Sequence, residues 1–157
     1  MMLAEVTPTE LVARSARAKI MRIQNECAAL PPGERMEESP PFINHFSPGL
    51  YCREIHLAAD TLVVGRIHLH DHFNVISKGK VSVFTEFGGE ETLEAPVSFM
   101  SKAGTKRVVF THEDAIWTTF HPNPTNETDL KKLEAMFTAA DYAELGMVVG
   151  EELEVLV

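Results

Sequence analysis

The sequence predicts a mainly β protein, folded as a single antiparallel β-barrel or as a sandwich. Between about residues 50 and 121, short segments of alternating or continuous apolar character follow one another without helical periodicity between them. Turn-forming pairs such as Lys78-Gly79 and Gly88-Gly89 separate most of these segments. So many short strands favour a sandwich or a barrel, and a barrel would leave no exposed strand edges. The predicted strands are Leu50–Leu57, Thr61–His68, His72–Ser77, Lys80–Phe87, Glu91–Ala95, Val97–Ser101, Lys106–Thr111 and Ala115–His121.

Helical segments flank the predicted barrel, which we place at residues 45–122. Residues 7–30 open with a capping box in which Thr7 is the N-cap and Pro8 takes the first helical position. Residues 128–146 contain the C-terminal helical segment, with a helix entered through Thr128-Asp129 and a further short helix capped at Thr138. Glu34–Pro41 is a linker, and the apolar tail, 147–157, would add an edge strand. We expect the whole chain, 1–157, to form one domain.

The first predicted helix has an apolar seam that either packs on the barrel or pairs two copies of the chain. Its members repeat at intervals of three and four residues: Ala16, Ile20, Ile23, Cys27 and Leu30. The seam spans fewer than two full heptads, so it supports a coiled-coil contact only weakly.

Composition argues against several classes of protein, among them nucleic-acid-binding and secreted proteins. The 157 residues carry a net charge of −9, which argues against general nucleic-acid binding because phosphates need a basic surface. No apolar run approaches the roughly 20 residues that span a bilayer. The first residues lack a basic segment followed by an apolar stretch, so we expect no secretory signal. Two cysteines without metal-site spacing are typical of a cytoplasmic protein.

Three histidines alternate in one extended segment of the predicted barrel. In a regular strand, the rings of His68, His70 and His72 would project from the same face. Imidazole binds divalent transition metals well, so one Fe, Mn, Ni or Zn ion is a candidate cofactor. The same rings serve equally as hydrogen-bonded groups of a site without metal.

The segment from Gly65 to Gly79 resembles the first motif of the cupin superfamily, which implies a cupin, or jelly-roll, barrel. The register from Gly79 puts His68 on one of the usual histidine positions and His72 on the glutamate position. Arg66 then falls on the other histidine position of that motif. The segment 102–107 is similar to the second motif, with Arg107 at the position of the fourth ligand. The amino-acid sequence around these motifs also resembles that of short cupins of phage and prophage genomes, which have no assigned activity.

Two arginines at ligand positions leave two interpretations of the resemblance, because a protonated guanidinium cannot bind a metal. Either His68 and His72 hold the metal with a third ligand, or the cavity holds none. The candidates for that third ligand are His70, Asp71 and His121.

The arginines themselves are either paired with acids or placed to bind a ligand. Arg66 and Arg107 would suit a carboxylate or phosphate group, since the guanidinium fork matches such anions. Asn74 either orients such a ligand or satisfies a strand backbone group. Trp117, the one tryptophan of the chain, is a core residue or a stacking wall for the ligand.

Three functions are consistent with these residues. The first is a metal-dependent enzyme, similar to a dioxygenase or an isomerase, acting on a small anionic substrate. The second is a non-catalytic protein, such as a phage accessory protein, that binds or sequesters a small anionic molecule. The third is a structural or interaction protein. The resemblance also implies a homodimer, for which the helix seam and the tail supply apolar surface.

Overall fold

Residues 5–31 and 42–153 are described by the computed structural model of the chain. Within them lie two α-helices, eleven strands and a short 3-10 helix. The helices are α1 (Pro8–Ala28) and α2 (Leu130–Phe137), and the 3-10 helix is Ala143–Leu145. The strands are β1 (Phe42–Ser47), β2 (Gly49–Leu57), β3 (Leu62–Val64), β4 (Ile67–His68), β5 (His72–Lys78), β6 (Lys80–Thr85), β7 (Gly89–Glu94), β8 (Val97–Ser101), β9 (Val108–Thr111), β10 (Ala115–Asn123) and β11 (Thr138–Ala139).

The strands form three antiparallel sheets. The first sheet has the order β1-β2-β10-β5-β8, the second has the order β3-β9-β6-β7, and β4 pairs with β11. This confirms the mainly β, antiparallel class. The expectation of a closed barrel is wrong for the described residues, because no ladder joins an edge strand of the first sheet to one of the second.

The turn at Gly79 sends the chain from the first sheet into the second. Gly79 has φ +93°, and a Cβ at this position would collide with the carbonyl of Asp114, so glycine is required here. The main core lies between the two sheets that the turn connects. It contains Ile76, Val81, Val83, Val109, Ala115 and Trp117.

The predicted strand Thr61–His68 is divided into β3 and β4. The break lies at Gly65-Arg66, where the Gly65 amide donates to the carbonyl of Arg107 at 2.9 Å. Before the break, β3 pairs with β9, and after it β4 pairs with β11. A segment preceding the predicted barrel strands, β1, adds an edge to the first sheet through its pairing with β2.

Helix α1 begins as predicted, with the Thr7 hydroxyl accepting from the Glu10 amide at 3.2 Å. Its buried residues are Ala13, Arg17 and Ile20, so the buried face is rotated from the expected seam and lies in the N-terminal part of the helix. The reason is the C-terminal segment, which packs there: the Arg17 guanidinium donates to the carbonyl of Val148 at 2.9 Å. Residues 147–153 of the tail form no strand, and the linker Glu34–Pro41 lies outside the described residues.

Helix α2 covers one end of the first sheet. Asp129 caps its N-terminus, and its buried residues Leu133 and Phe137 pack on Tyr51. The carbonyl of Phe137 accepts from the amide of Leu69 at 2.8 Å. Strand β11 follows directly at Thr138, and the further short helix that we expected is the 3-10 helix Ala143–Leu145, which ends before Gly146 as predicted. No helix of the described residues has the length and apolar character needed to cross a membrane.

Candidate functional site

Three imidazole rings meet on the inner side of the first sheet, beneath α2. The ring centroids of His68 and His72 are 4.0 Å apart and nearly parallel. His121 lies 5.4 Å from His72 and 5.8 Å from His68, and its other side stacks on Phe137 at 4.7 Å. Of the five residues predicted as metal ligands, these three are brought together.

The other two predicted ligands, His70 and Asp71, do not join this group of rings, although their charges act on His121 and His72. The chain bends between β4 and β5, so residues 68, 70 and 72 do not share one strand, and their expected alternation is wrong. His70 is exposed and touches the edge of Phe137. The Asp71 carboxylate accepts from the amide of Ala103 at 2.8 Å, which ties the bend to the turn that precedes Arg107.

Arg107 points into the same group and is only 8% exposed. Its Nη2 lies 3.3 Å from Nε2 of His72 and 3.4 Å from Nε2 of His68. Its Nη1 donates to the hydroxyl of Ser101 at 2.6 Å, and Cζ lies 5.0 Å from the centroid of the Trp117 ring. Within the described part of the chain the guanidinium has no carboxylate partner. We call His68, His72, His121 and Arg107 the histidine–arginine cluster.

Asn74 and Trp117 support this cluster from below. The indole N–H of Trp117 donates to Oδ1 of Asn74 at 3.0 Å, and Nδ2 of Asn74 donates to the Ser101 hydroxyl at 3.0 Å. Both side chains are buried. The polar groups of Asn74 and Trp117, which we predicted as ligand contacts, therefore bond within the protein instead. This network holds Ser101 in place, and through it Arg107.

Burial sets the charges of the cluster. Desolvation, followed by the nearby Arg107 charge, lowers the pKa of His68 well below its usual value and that of His72 to about 4. Desolvation and the neighbouring His72 lower the pKa of His121 to about 3. The pKa of Arg107 falls to about 10, again mainly through burial. At neutral pH the three imidazoles are uncharged, and Arg107 carries the positive charge of the cluster.

A second arginine, which the sequence analysis missed, lies on the inner face beside His121. Arg53 of β2 stacks on Phe42, with Cζ 3.9 Å from the ring centroid, and makes no hydrogen bond or ion pair within the described residues. Its charge contributes to lowering the pKa values of His68 and His121. The signal was available: Tyr51, Arg53, Ile55 and Leu57 alternate, which puts an arginine among inward-facing apolar residues.

Arg66 does not reach the cluster. Its Nε donates to the Thr138 hydroxyl at 2.9 Å and lies 3.5 Å from a carboxylate oxygen of Glu134, in a half-exposed pair. Of the two interpretations of the arginines, Arg66 therefore follows the one in which the arginine is paired with an acid. Arg107 is instead buried and forms no ion pair with a carboxylate of the described residues.

Lys106, next to Arg107, enters a separate group that we call the glutamate cluster: Glu86, Lys106 and Tyr142. Both carboxylate oxygens of Glu86 accept from the amide of Lys106 at 3.0 Å, and one also accepts from the Tyr142 hydroxyl at 2.9 Å. The Lys106 ammonium donates to the carbonyl of Ala140 at 3.1 Å. Burial raises the pKa of Glu86 and lowers that of Lys106 to about 8.

The histidine–arginine cluster, as arranged, does not fit a divalent metal ion. Nε2 of His68 and Nε2 of His72 both face the same atom, Nη2 of Arg107. Nε2 of His121 lies 3.1 Å from the Thr119 hydroxyl. Residues 5–31 and 42–153 contain no group of three or more His, Cys, Asp or Glu side chains placed to hold a metal. We therefore derive no chemistry through a metal.

Comparison with known proteins rests on structure. No family model matches the chain, and no curated protein matches it. Solved structures similar to it include a cupin-2 domain protein from Shewanella frigidimarina NCIMB 400, with TM-score 0.43 and 12% identity over 64% of this chain and 92% of that one. A double-stranded β-helix protein from Klebsiella pneumoniae subsp. pneumoniae MGH 78578 has TM-score 0.48 and 12% identity over 59% and 84%.

Salicylate 1,2-dioxygenase from Pseudaminobacter salicylatoxidans is a further similar structure. Its TM-score is 0.51 at 14% identity, over 82% of this chain. The match covers 36% of the dioxygenase, so this chain corresponds to about a third of that enzyme. At this identity the likeness shows the fold alone.

Proposed function

We propose that this protein binds a small anion carrying a carboxylate group, and that Arg107 is the residue that receives it in a cupin-type site. The observation that carries the proposal is a buried guanidinium that forms no ion pair with a carboxylate of the described residues, the charge of Glu86 acting on it only from beyond contact distance. A buried charge is costly unless a counter-charge compensates it. An anionic ligand would supply that counter-charge.

The surroundings of Arg107 support binding of an anion rather than a cation. The three imidazoles next to it are uncharged at neutral pH, so they add no negative charge to the site. Arg53 adds a second positive charge on the far side of His121. Arg107 and Arg53 therefore bring two positive charges to the cluster, which favours anions over cations. Carboxylates oppose them from outside the cluster: Asp71 acts on His72, Glu134 on Arg53 and Glu86 on Arg107.

The cluster has one member that reaches the surface, and Arg107 is held from below. His68 is partly exposed, and the bend that follows it, with His70 and Asp71, lies at the surface. Below, Ser101 and Trp117 hold the guanidinium in one orientation. A fixed guanidinium fork loses little freedom when it pairs with a carboxylate, which favours affinity and specificity.

A metal-dependent enzyme is the second candidate, and the convergence of three imidazoles favours it. The similar structure from Pseudaminobacter salicylatoxidans is a dioxygenase named for salicylate, itself an aromatic carboxylate. We rank this candidate second, because Arg107 lies at the imidazole nitrogens that a metal would need. The predicted homodimer, cytoplasmic location and phage accessory role, and an interaction function, stay predictions.

Calorimetric titration of the protein with acetate, salicylate and inorganic phosphate at low ionic strength tests the proposal. We expect a carboxylate to bind and Arg107→Met to weaken binding by about thirtyfold or more, since truncating a buried charged contact costs roughly 2–5 kcal/mol. Arg66→Ala is the matched control, because Arg66 is paired with Glu134 away from the cluster, and it should change affinity less than about twofold.

Two results would overturn this proposal. One is that neither carboxylate binds; the other is that Arg107→Met binds them as tightly as the unmodified protein. Preference for phosphate over both carboxylates would contradict the ligand class. For acetate and phosphate, which do not absorb near 280 nm, the emission of Trp117 gives a second readout because the indole lies beside Arg107.

A further inference from the structure

We infer that Arg107 takes the place of a metal ion in this protein, and that it is the residue that keeps divalent metals out of the histidine–arginine cluster. This goes beyond anion binding, because it concerns which cation the imidazoles accept. The juxtaposition that carries it is one guanidinium nitrogen facing Nε2 of both His68 and His72.

The distances make the guanidinium and a metal mutually exclusive. Nη2 of Arg107 lies 3.3 and 3.4 Å from the two imidazole nitrogens. A divalent metal bound to both nitrogens at about 2.0–2.1 Å would have to occupy nearly the same position. Two cations cannot share it, because overlap and like-charge repulsion both oppose that arrangement.

The hydrogen bonding of His72 is that of a metal-binding histidine, although its ring is stacked on His68 at 4.0 Å. Nδ1 of His72 lies 3.2 Å from the carbonyl of His70, so the ring proton sits on that side and the Nε2 lone pair faces Arg107. A backbone carbonyl bound to the second ring nitrogen is the usual support of a metal-binding histidine. Nε2 of His68 faces the same donor, while its buried Nδ1 has no partner within the described residues.

His121 lies beside the other two rings, although the three imidazoles as they stand do not form a three-ligand metal group. Its ring lies 5.4 and 5.8 Å from the other two, and Nε2 contacts only the Thr119 hydroxyl. A hydroxyl is a weak competitor for an imidazole lone pair that a divalent metal can bind. Removal of the guanidinium therefore vacates a position that lies within 3.4 Å of the Nε2 atoms of both His68 and His72, with a third imidazole nearby.

The arginine is held in this position by the protein itself. Ser101 accepts from Nη1, and Asn74 in turn donates to Ser101. The Trp117 ring lies against the guanidinium, which is a favourable cation–π contact. Arg107 is thus held at this position by side chains of the protein itself, without any ligand.

Titration with Co²⁺ of protein purified without a histidine tag and treated with chelator tests the inference. Cobalt bound by nitrogen ligands absorbs visible light, so binding is read directly, and Zn²⁺ competition gives the affinity. We expect Arg107→Met to bind one Co²⁺ per chain at least about tenfold more tightly than the unmodified protein, the lower end of effects known for groups around metal sites. Adding His72→Ala to Arg107→Met should abolish this gain.

Arg107→Gln is a second variant, in case the methionine variant does not fold. Circular dichroism establishes that each variant is folded before metal is added. The inference is overturned if the unmodified protein binds Co²⁺ as tightly as the variants. It is equally overturned if both variants fold and neither binds more tightly than the unmodified protein. No anion is needed in this titration, so its result is independent of whether a carboxylate binds Arg107.

Discussion

Lys106 and Arg107 are consecutive in the chain, yet their charged groups enter two different buried clusters. Lys106 is 1% exposed and lies in the glutamate cluster, where Glu86 supplies a nearby negative charge. Arg107 is 8% exposed and lies among uncharged imidazoles. The side chains of these two consecutive residues point to opposite sides of the chain, so one short segment contributes a charged group to each cluster.

The difference between the two clusters is what separates a structural group from a candidate site. In the glutamate cluster the carboxylate accepts from a backbone amide and a phenol, and the ammonium donates to a carbonyl. A fully satisfied buried network stabilises one conformation. In the histidine–arginine cluster the guanidinium forms no ion pair with a carboxylate of the described residues, and Glu86 acts on it only from beyond contact distance. A protein tolerates such a buried charge where function requires it.

The largest expected effect is the loss of Glu86. Glu86→Ala should lower the free energy of unfolding by about 3–5 kcal/mol, because it leaves the Lys106 backbone amide and the Tyr142 hydroxyl without their acceptor in the interior and removes a negative charge that acts on the Lys106 ammonium. Urea unfolding measures this. Glu86→Gln keeps the volume and one acceptor, so its loss should be smaller. A change below about 1 kcal/mol for the alanine variant would show that the glutamate cluster is not the stabilising buried network that distinguishes it from the histidine–arginine cluster.

Lys106 should give the glutamate cluster a basic pH dependence. Burial, then the Arg66 charge, lowers its pKa to about 8 in the folded protein, against the ordinary 10.5, while Glu86 and Asp141 oppose the shift. Between these values the unfolded chain binds more protons, so the stability contributed by Lys106 rises with pH. Relative to Lys106→Met, the unmodified protein should gain up to about 1.4 kcal/mol per pH unit. Urea unfolding of both at about pH 7.5, 9 and 10 checks this, and a constant difference would contradict it.

Arg107→Met should change stability far less than Glu86→Ala, by under about 1.5 kcal/mol. The hydrogen bonds lost at Ser101 and the imidazoles are opposed by removal of a buried, uncompensated charge. The measurement is again urea unfolding, without added anion. A loss as large as that of Glu86→Ala would mean that Arg107 is chiefly a structural residue.

The smallest effect is expected at Asp71, which was predicted as a ligand and instead accepts from the amide of Ala103. Asp71→Ala should cost about 1 kcal/mol, as loss of a side-chain cap of a backbone amide typically does. Asp71→Asn retains an acceptor oxygen and should cost less than half as much. Equal losses for the two variants in thermal or urea unfolding would exclude this role.

Much of the fold could be predicted from the sequence because strands and turns are local. The alternation of β5 and β10, the glycine turn at Gly79 and the capping of α1 at Thr7 all follow from short segments. The interruption of Thr61–His68 could not be predicted, since it depends on a carbonyl of Arg107 far along the chain. The absence of barrel closure within the described residues likewise depends on pairing between distant strands.

For the site, the sequence by itself determined which residue types are present and the short segments that carry them: histidines at 68 and 72, and Arg107 at a position where the cupin resemblance expects a ligand. Only the tertiary structure decided that His121 joins them, that His70, Asp71 and Arg66 do not, and that Arg53 faces inward nearby. The physical reason is that charge and access depend on neighbours distant in sequence. An arginine is a solvated surface group, half of an ion pair or an uncompensated buried cation according to what folds against it.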